Sequence, residues 1–357
     1  MEAFIRSTCA VSPQTTWYNS GFLNAPRRFF SNRITAEEPD YKEFIPPIQI
    51  RRMSRFLKMG LTASHICLKE SNTEHPDAII VGTAMGNAEY LEKFLASMTV
   101  QQETNLSPTP FIQSTHNAIA SQIAMLQQNH NYNMTYSHRA LSFEWALLDA
   151  LLLIREKEAA NVLIGGIDLA TDILFTNYGY LGYWKKETAD NFAMLHAKTD
   201  GTILGEGAAF FVLSDEAGDN DYAVFRDVYT FLKPESNTTI HEEIAAFMAR
   251  NGLSSDTTGM VLFGINGDQK YDRIYYDLQN TLFDKTKTHF CYYKSLCGEY
   301  FTSTSFACWM AAGVLKRKTI PDIIRISSAI HKFPENILIY NHFRNEEHSL
   351  ILLSAVD

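Results

Sequence analysis

The sequence has no surplus of positive charge, no long hydrophobic run and no paired cysteines, and each absence removes a class of function. Its 357 residues carry 31 lysines and arginines against 40 aspartates and glutamates, a formal net charge of −9. A nucleic-acid binder needs a basic surplus or stripe to neutralise phosphates. Here Arg27-Arg28 and Arg51-Arg52 are isolated pairs, which read as solvated surface or ion-pair partners. The most apolar stretch, residues 146–154, contains Asp149 and falls far short of the ~20 residues that cross a bilayer. The first residues lack the basic region and apolar run of a signal peptide, so a cytoplasmic location is expected. The five cysteines (Cys9, Cys67, Cys291, Cys297 and Cys308) make no CxxC pair, and no Cys/His cluster has zinc spacing. Free buried thiols and no metal are expected. Nor is there a P-loop, a G-x-S-x-G elbow or a complete G-x-G-x-x-G. Gly82-Thr-Ala-Met-Gly86 lacks that spacing, and Gly205-Glu-Gly207 precedes a strand instead of a helix N-terminus. No cofactor is expected.

What is present is a globular composition, 46% hydrophobic and 20% charged, with ample material for a core. Apolar and β-branched runs predict strands at residues 3–11, 77–82, 134–136, 161–166 and 208–214, then at 222–229, 260–265, 337–340 and 349–356. Helical spacing is found at 52–69, 89–98, 114–127, from Ser142 to Ile154, and at 242–249, 271–283 and 302–315. Ser142 is a candidate N-cap, and Pro108 and Pro110 mark a loop. Alternating strands and helices argue for an α/β protein with mostly parallel sheets. The same order of elements recurs, which suggests two similar halves, 1–217 and 218–357, in one compact unit.

Five segments carry more specific information. They are Arg51-Arg-Met-Ser-Arg55, Ser107-Pro-Thr-Pro-Phe-Ile-Gln-Ser-Thr-His-Asn-Ala-Ile-Ala-Ser-Gln-Ile-Ala124, Val162-Leu-Ile-Gly-Gly-Ile-Asp168, Asp200-Gly-Thr-Ile-Leu-Gly-Glu-Gly-Ala208 and Lys294-Ser-Leu-Cys-Gly298. In this order, over about residues 50 to 300, they resemble the β-ketoacyl synthase family. The matching family patterns are R-R-M-S/D-R, F-x-x-S-T-x-N-x-x-A-x-x-I-A, V-x-A-G-G-x-E/D, D-G-F-V-L-G-E-G-A and the start of K-x-x-x-G-H. The resemblance implies a thiolase-like five-layer αβαβα fold built from two similar halves, commonly dimeric.

The departures bear on function. A condensing enzyme needs a cysteine thiolate at a helix N-terminus to accept the acyl chain. In Tyr136-Ser-His-Arg-Ala140-Leu-Ser142 that position falls on Ala140, and a methyl group holds no thioester. Two imidazoles are also needed; their positions fall on Gly264 and Glu299. The glycine-rich turn that supplies backbone N–H groups is replaced by residues 341–346, so that only Lys294 of the family's constellation remains. The resemblance therefore implies a chain length factor, close to those of aryl-polyene and flexirubin pigment clusters. Such a subunit is non-catalytic, forms a heterodimer with an active ketosynthase and shapes the acyl or polyene tunnel. Acyl carrier protein, being acidic, is expected to dock on the partner and to meet this chain only indirectly. Phe111, Ile112, His116 and Asn117 are candidates for the interface and tunnel gate, while His138 and Arg139 could fill the vacated pocket or face the partner. Two alternatives stand: a synthase or acyltransferase of the same fold using Cys297 or Glu299, and a homodimeric acyl-binding scaffold.

Overall fold

Strand and helix faces in this chain are sorted by the two periods of its apolar pattern. The computed structural model describes residues 2–18, 21–327 and 333–356. The first half runs β1 (Ala3–Val11), β2 (Phe30–Ser31), α1 (Pro47–Ile50), α2 (Arg55–Glu70), β3 (Ala78–Gly82), α3 (Ala88–Val100), α4 (Pro108–Gln113), α5 (Ala118–Leu126), β4 (Tyr132–Tyr136), α6 (Ser142–Arg155), β5 (Asn161–Asp168), α7 (Asp172–Tyr180), β6 (Ala189–Asp190) and β7 (Gly207–Ser214). The second half runs β8 (Val224–Leu232), α8 (Asn237–Arg250), β9 (Met260–Phe263), α9 (Arg273–Thr281), β10 (His289–Tyr292), α10 (Lys294–Cys297), α11 (Ser303–Arg317), β11 (Arg325–Ser327), β12 (Asn336–Phe343) and β13 (Glu347–Ser354).

Among the described residues, eleven strands share one hydrogen-bonded sheet, ordered β11-β10-β9-β12-β13-β8-β1-β7-β5-β3-β4. The two halves repeat one topology. In β4-β3-β5-β7-β1 and in β10-β9-β12-β13-β8, the third, second, fourth, fifth and first long strands of the half lie side by side. Each half has a parallel trio followed by antiparallel neighbours, with β1 and β8 joining them antiparallel. The sheet is thus less parallel than the sequence suggests, because β7 and β13 run against their neighbours β5 and β12.

Successive residues of a strand point to opposite faces, and here each face has its own core. In β9, Met260 and Leu262 join one cluster with α6 and α11, while Val261 and Phe263 join another with α8 and α9. In β5, Val162 and Ile164 face α6, while Leu163 and Ile167 face α2 and α5. The layers are therefore α2 and α5, the first half-sheet, α6 and α11, the second half-sheet, and α8 and α9. This is the five-layer αβαβα arrangement. Within the middle layer α11 is enclosed, every residue from Ser303 to Leu315 being buried, while α6 turns one side to the surface. In α11, Ala307, Ala311 and Ala312 keep the packing against the strands close, and Gly313 makes room for the Phe22 ring. Among the described residues no helix is long and apolar enough to cross a membrane.

Two local expectations are corrected. Pro108 and Pro110 sit in the first turn of α4 instead of a loop. Proline is tolerated there because the first N–H groups of a helix have no intrahelical acceptor to lose. Ser142 does not cap α6 either. It is the first helical residue, and its hydroxyl donates to Arg139 O (2.8 Å) and accepts from His138 N (2.8 Å), bracing the preceding 3₁₀ turn.

Candidate functional site

The motif segments, scattered over some 250 residues of sequence, converge at one end of the central layer. The Arg55 guanidinium pairs with Glu206, whose carboxylate also accepts from the N–H groups of Ala36 (2.8 Å) and Ala170 (3.1 Å). Asp168 accepts from Thr83 Oγ1 and from the N–H groups of Ala84 and Met85 at 3.0–3.1 Å, with burial raising its pKa to about 6. Gly205 and Gly298 touch backbone to backbone. A Cβ on Gly205 would lie 1.9 Å from Cys297 O, and Gly298 has φ +72°, so neither position admits a side chain.

Ala140 lies in the 3₁₀ turn Arg139–Leu141 that leads into α6. It is buried against Phe301 and Phe343, with Ala84, Met85, Tyr178 and Tyr183 around them. The rings interlock: Phe301 and Phe343 have centroids 5.1 Å apart, Tyr183 and Phe343 5.7 Å, and Tyr178 and Phe301 5.9 Å. The space left between Asp168, Glu299, Tyr300, Phe301 and Phe343 is about 10 Å³, room for roughly one water. The N–H of Ala140 donates to Glu347 Oε2 at 2.9 Å, so the helix start that would receive an anionic ligand already holds a carboxylate. Arg139 closes the mouth: its guanidinium lies over Phe343 and pairs with Glu347 (3.2 Å). His138 turns the other way and stacks on Trp145, centroids 4.3 Å apart.

At Gly264, an added Cβ would lie 2.2 Å from Asn341 Oδ1 and 2.8 Å from Tyr275 Oη. A side chain there would collide with both, so the space beside Gly264 is taken by the Asn341 amide. Glu299 is a partner for Lys294 instead of a substrate ligand. Their buried ion pair is 2.6 Å long, and Asn266 Nδ2 donates to the same carboxylate oxygen at 2.7 Å. Residues 341–346 end β12, form a turn with Arg344 and Asn345 at positive φ, and enter β13. Arg344 stacks over Tyr183 (4.1 Å) and Tyr271 (5.1 Å), which pins the turn across the site.

Other nucleophiles and bases are equally closed off. The Cys297 thiol is fully buried, its pKa pushed well up by burial, and it bonds Gly298 O at 3.3 Å. All five cysteines are free and buried. His342 and His348 lie near the site, which the sequence did not single out. Burial drives His342 well below the usual imidazole range and His348 to about 4, so both are neutral. Among the described residues, no group of three or more His, Cys, Asp or Glu side chains could hold a metal ion.

Phe111 and Ile112 are exposed on α4, with Phe111 packed on Phe94 (5.2 Å), and His116 and Asn117 are exposed ahead of α5. Around them, Leu91 and Leu95 of α3, Tyr132 and Met134 of β4, and Trp145, Leu148 and Leu152 of α6 are also exposed. β4 is the outermost strand on its side of the sheet, so one edge of its backbone is unpaired.

The profile of the β-ketoacyl synthase N-terminal domain matches residues 28–226. The chain belongs to the β-ketoacyl synthase family. No curated protein sequence is similar to it. Solved ketosynthase-type structures share the fold at low identity. The ishigamide ketosynthase/chain length factor superposes with a TM-score of 0.84 at 12% identity, over 100% of this chain and 99% of that one. A β-ketoacyl synthase from Burkholderia phymatum STM815 gives 0.81 at 13%, over 100% of both chains. The ketosynthase ApeO in complex with its chain length factor ApeC, from Xenorhabdus doucetiae, gives 0.75 at 14%, over 99% of this chain and 98% of that one. Phe301 and Glu347 lie outside the sequence motifs, whereas Phe343 falls within residues 341–346, the segment already marked as standing in for the family's glycine-rich turn. Tyr178 and Tyr183 could have been noticed as part of an aromatic-rich run; nothing in the sequence marked Glu347.

Proposed function

We propose that this chain is a chain length factor, a non-catalytic ketosynthase homologue that forms a heterodimer with an active β-ketoacyl synthase and helps shape the tunnel for the growing chain. The observation that carries the reading is the filled site: a methyl group at Ala140, two phenylalanine rings against it, and Glu347 on the N–H that would otherwise meet an anion. Carbon–carbon bond formation of the family's kind needs a thiolate and two imidazoles, and Ala140, Gly264 and Glu299 supply none of them. The uncovered face formed by α3, α4, β4 and α6 supports the second half of the reading. An unpaired edge strand flanked by Met134, Leu148 and Leu152 suits a large apolar interface. Two of the similar structures are described as a ketosynthase with a chain length factor, and a third as a type II polyketide synthase acyl-carrier protein in complex with its ketosynthase. On this reading Phe111, Ile112, His116 and Asn117 border the partner and the tunnel, the carrier protein docks on the partner, and the pair works in the cytoplasm. The resemblance to aryl-polyene and flexirubin systems suggests a polyene product. The halves 1–217 and 218–357 act as one unit.

Co-expression with an active ketosynthase tests this. The expected result is a stable pair, condensation by the pair, and none by this chain alone given acyl- and malonyl-carrier protein. Product formed by the isolated chain would overturn the proposal. The buried Cys297 and the ion-paired Glu299 leave an acyltransferase reading without an accessible nucleophile or base.

A further inference from the structure

Glu144 occupies the inner face of α6, fully buried, and neither of its carboxylate oxygens has a hydrogen-bond partner among the described residues. The groups facing it are the hydroxyls of Thr304 on α11 and Ser349 on β13, themselves unpartnered, the Cys308 thiol on α11 and the Lys294 ammonium on α10. The strands packed on α6 contribute the apolar side chains of Ala78, Ile80, Val162, Ile164 and Phe225 to the same core cluster, with Tyr136 at its edge. Lys294 is already committed to Glu299 at 2.6 Å. Glu144 is therefore an acid without a counter-ion of its own, and burial raises its pKa to about 7. One residue on, the same helix turns Trp145, Leu148 and Leu152 outward into the apolar face described above.

We infer that assembly with the ketosynthase is proton-linked through Glu144: the carboxyl stays protonated while α6 is seated, and its ionisation loosens the helix and weakens the partner face. The inference rests on the proposed pairing and adds its regulation. Ionising Glu144 releases a proton to solvent and leaves a bare charge against two hydroxyls that cannot replace a hydration shell. The structure that best relieves that charge is one in which α6 lifts from β13 and α11, which displaces the three outward side chains. Association then falls as pH rises through the neutral range, by up to about tenfold per pH unit for a single linked proton.

The dissociation constant of the ketosynthase pair, measured from about pH 6 to about pH 9, tests this in wild type and in Glu144→Gln. The expected result is affinity that declines with pH in wild type and a flat profile in the variant, which keeps the side-chain shape without the ionisation. A variant that follows the wild-type slope, or a flat wild type, overturns the proton linkage and leaves the pairing intact; failure to pair at any pH overturns both. A second readout needs no partner. Because burial also raises Asp168 and Asp272, the readout is the infrared difference between wild type and Glu144→Gln at about pH 6: one protonated carboxylic acid carbonyl band should be lost in the variant, and no difference there overturns the inference.

Discussion

On the proposed reading Ala140 stands in place of a nucleophile, and its surroundings have changed with it. Ala140→Cys would place a thiol against Phe301 and Phe343, with Glu347 on the adjacent N–H and no imidazole at positions 264 and 299. A nearby carboxylate disfavours the thiolate. The variant is expected to show no condensation and no acyl adduct by mass spectrometry; an adduct on the introduced thiol would contradict the filled-site account. Glu299 makes a second residue-scale case. Lys294 is completely buried and Glu299 is its ion-pair partner. Glu299→Ala leaves an uncompensated ammonium and should cost about 3–5 kcal/mol in urea unfolding. Lys294→Met combined with Glu299→Leu should recover most of that loss, because apolar pairs of similar volume replace buried ion pairs at little net cost. If the double variant is as unstable as the single one, the pair does more than neutralise itself.

At the scale of elements, the turn between β12 and β13 and the face of α6 divide two tasks. The turn closes the old site with Phe343, Arg344 and Glu347. Phe343 is buried with rings on several sides, so Phe343→Ala should cost about 3–5 kcal/mol and open a cavity. The exposed side of α6 serves a different purpose. Leu148 and Leu152 are exposed already, so Leu148→Glu with Leu152→Glu should move the melting temperature of the isolated chain little. On the proposed reading the same pair of changes abolishes co-purification with the ketosynthase, since each would bury a charge in an apolar interface. Retained co-purification would place the partner elsewhere. The contrast separates a change that harms the fold from one that harms only assembly.

For the whole molecule, the polar groups enclosed between its layers set the pH dependence of stability, and they act with opposite signs. His348 stacks on Phe231 (centroids 4.7 Å apart), and its Nδ1 lies 3.0 Å from Tyr340 Oη. Burial lowers its pKa from 6.5 to about 4. The unfolded chain therefore takes up a proton first as pH falls, and stability present above about pH 6.5 is lost on the way to pH 4, by up to about 3 kcal/mol. Glu144 does the reverse. Its raised pKa means stability is lost as pH climbs from the ordinary carboxyl range to about 7. Denaturant midpoints for wild type and His348→Phe should therefore diverge between pH 6.5 and pH 4, the wild type losing more. Parallel curves would mean that His348 does not titrate as its surroundings require.

The sequence by itself determined the family and the order of the longer strands and helices, because these depend on local periods and on residue identity at motif positions. The strands at β1, β3, β5, β7 and β12 are runs of apolar residues bounded by breakers, and α2, α6 and α11 carry clear helical spacing. Shorter or less amphipathic elements were not legible. β10 has four residues, and α7 buries only Leu174 along its length. Tertiary structure alone decided what packs on Ala140 and beside Gly264. Phe301 and Glu347 are distant in sequence from Ala140 and stand outside every motif, and the motif-like segment 341–346 does not reveal that Phe343 packs on Ala140 or that Asn341 lies beside Gly264. Which side chain fills a vacated volume depends on how the two halves bring β12 and β13 against the start of α6, and that long-range packing leaves no period in the sequence to read.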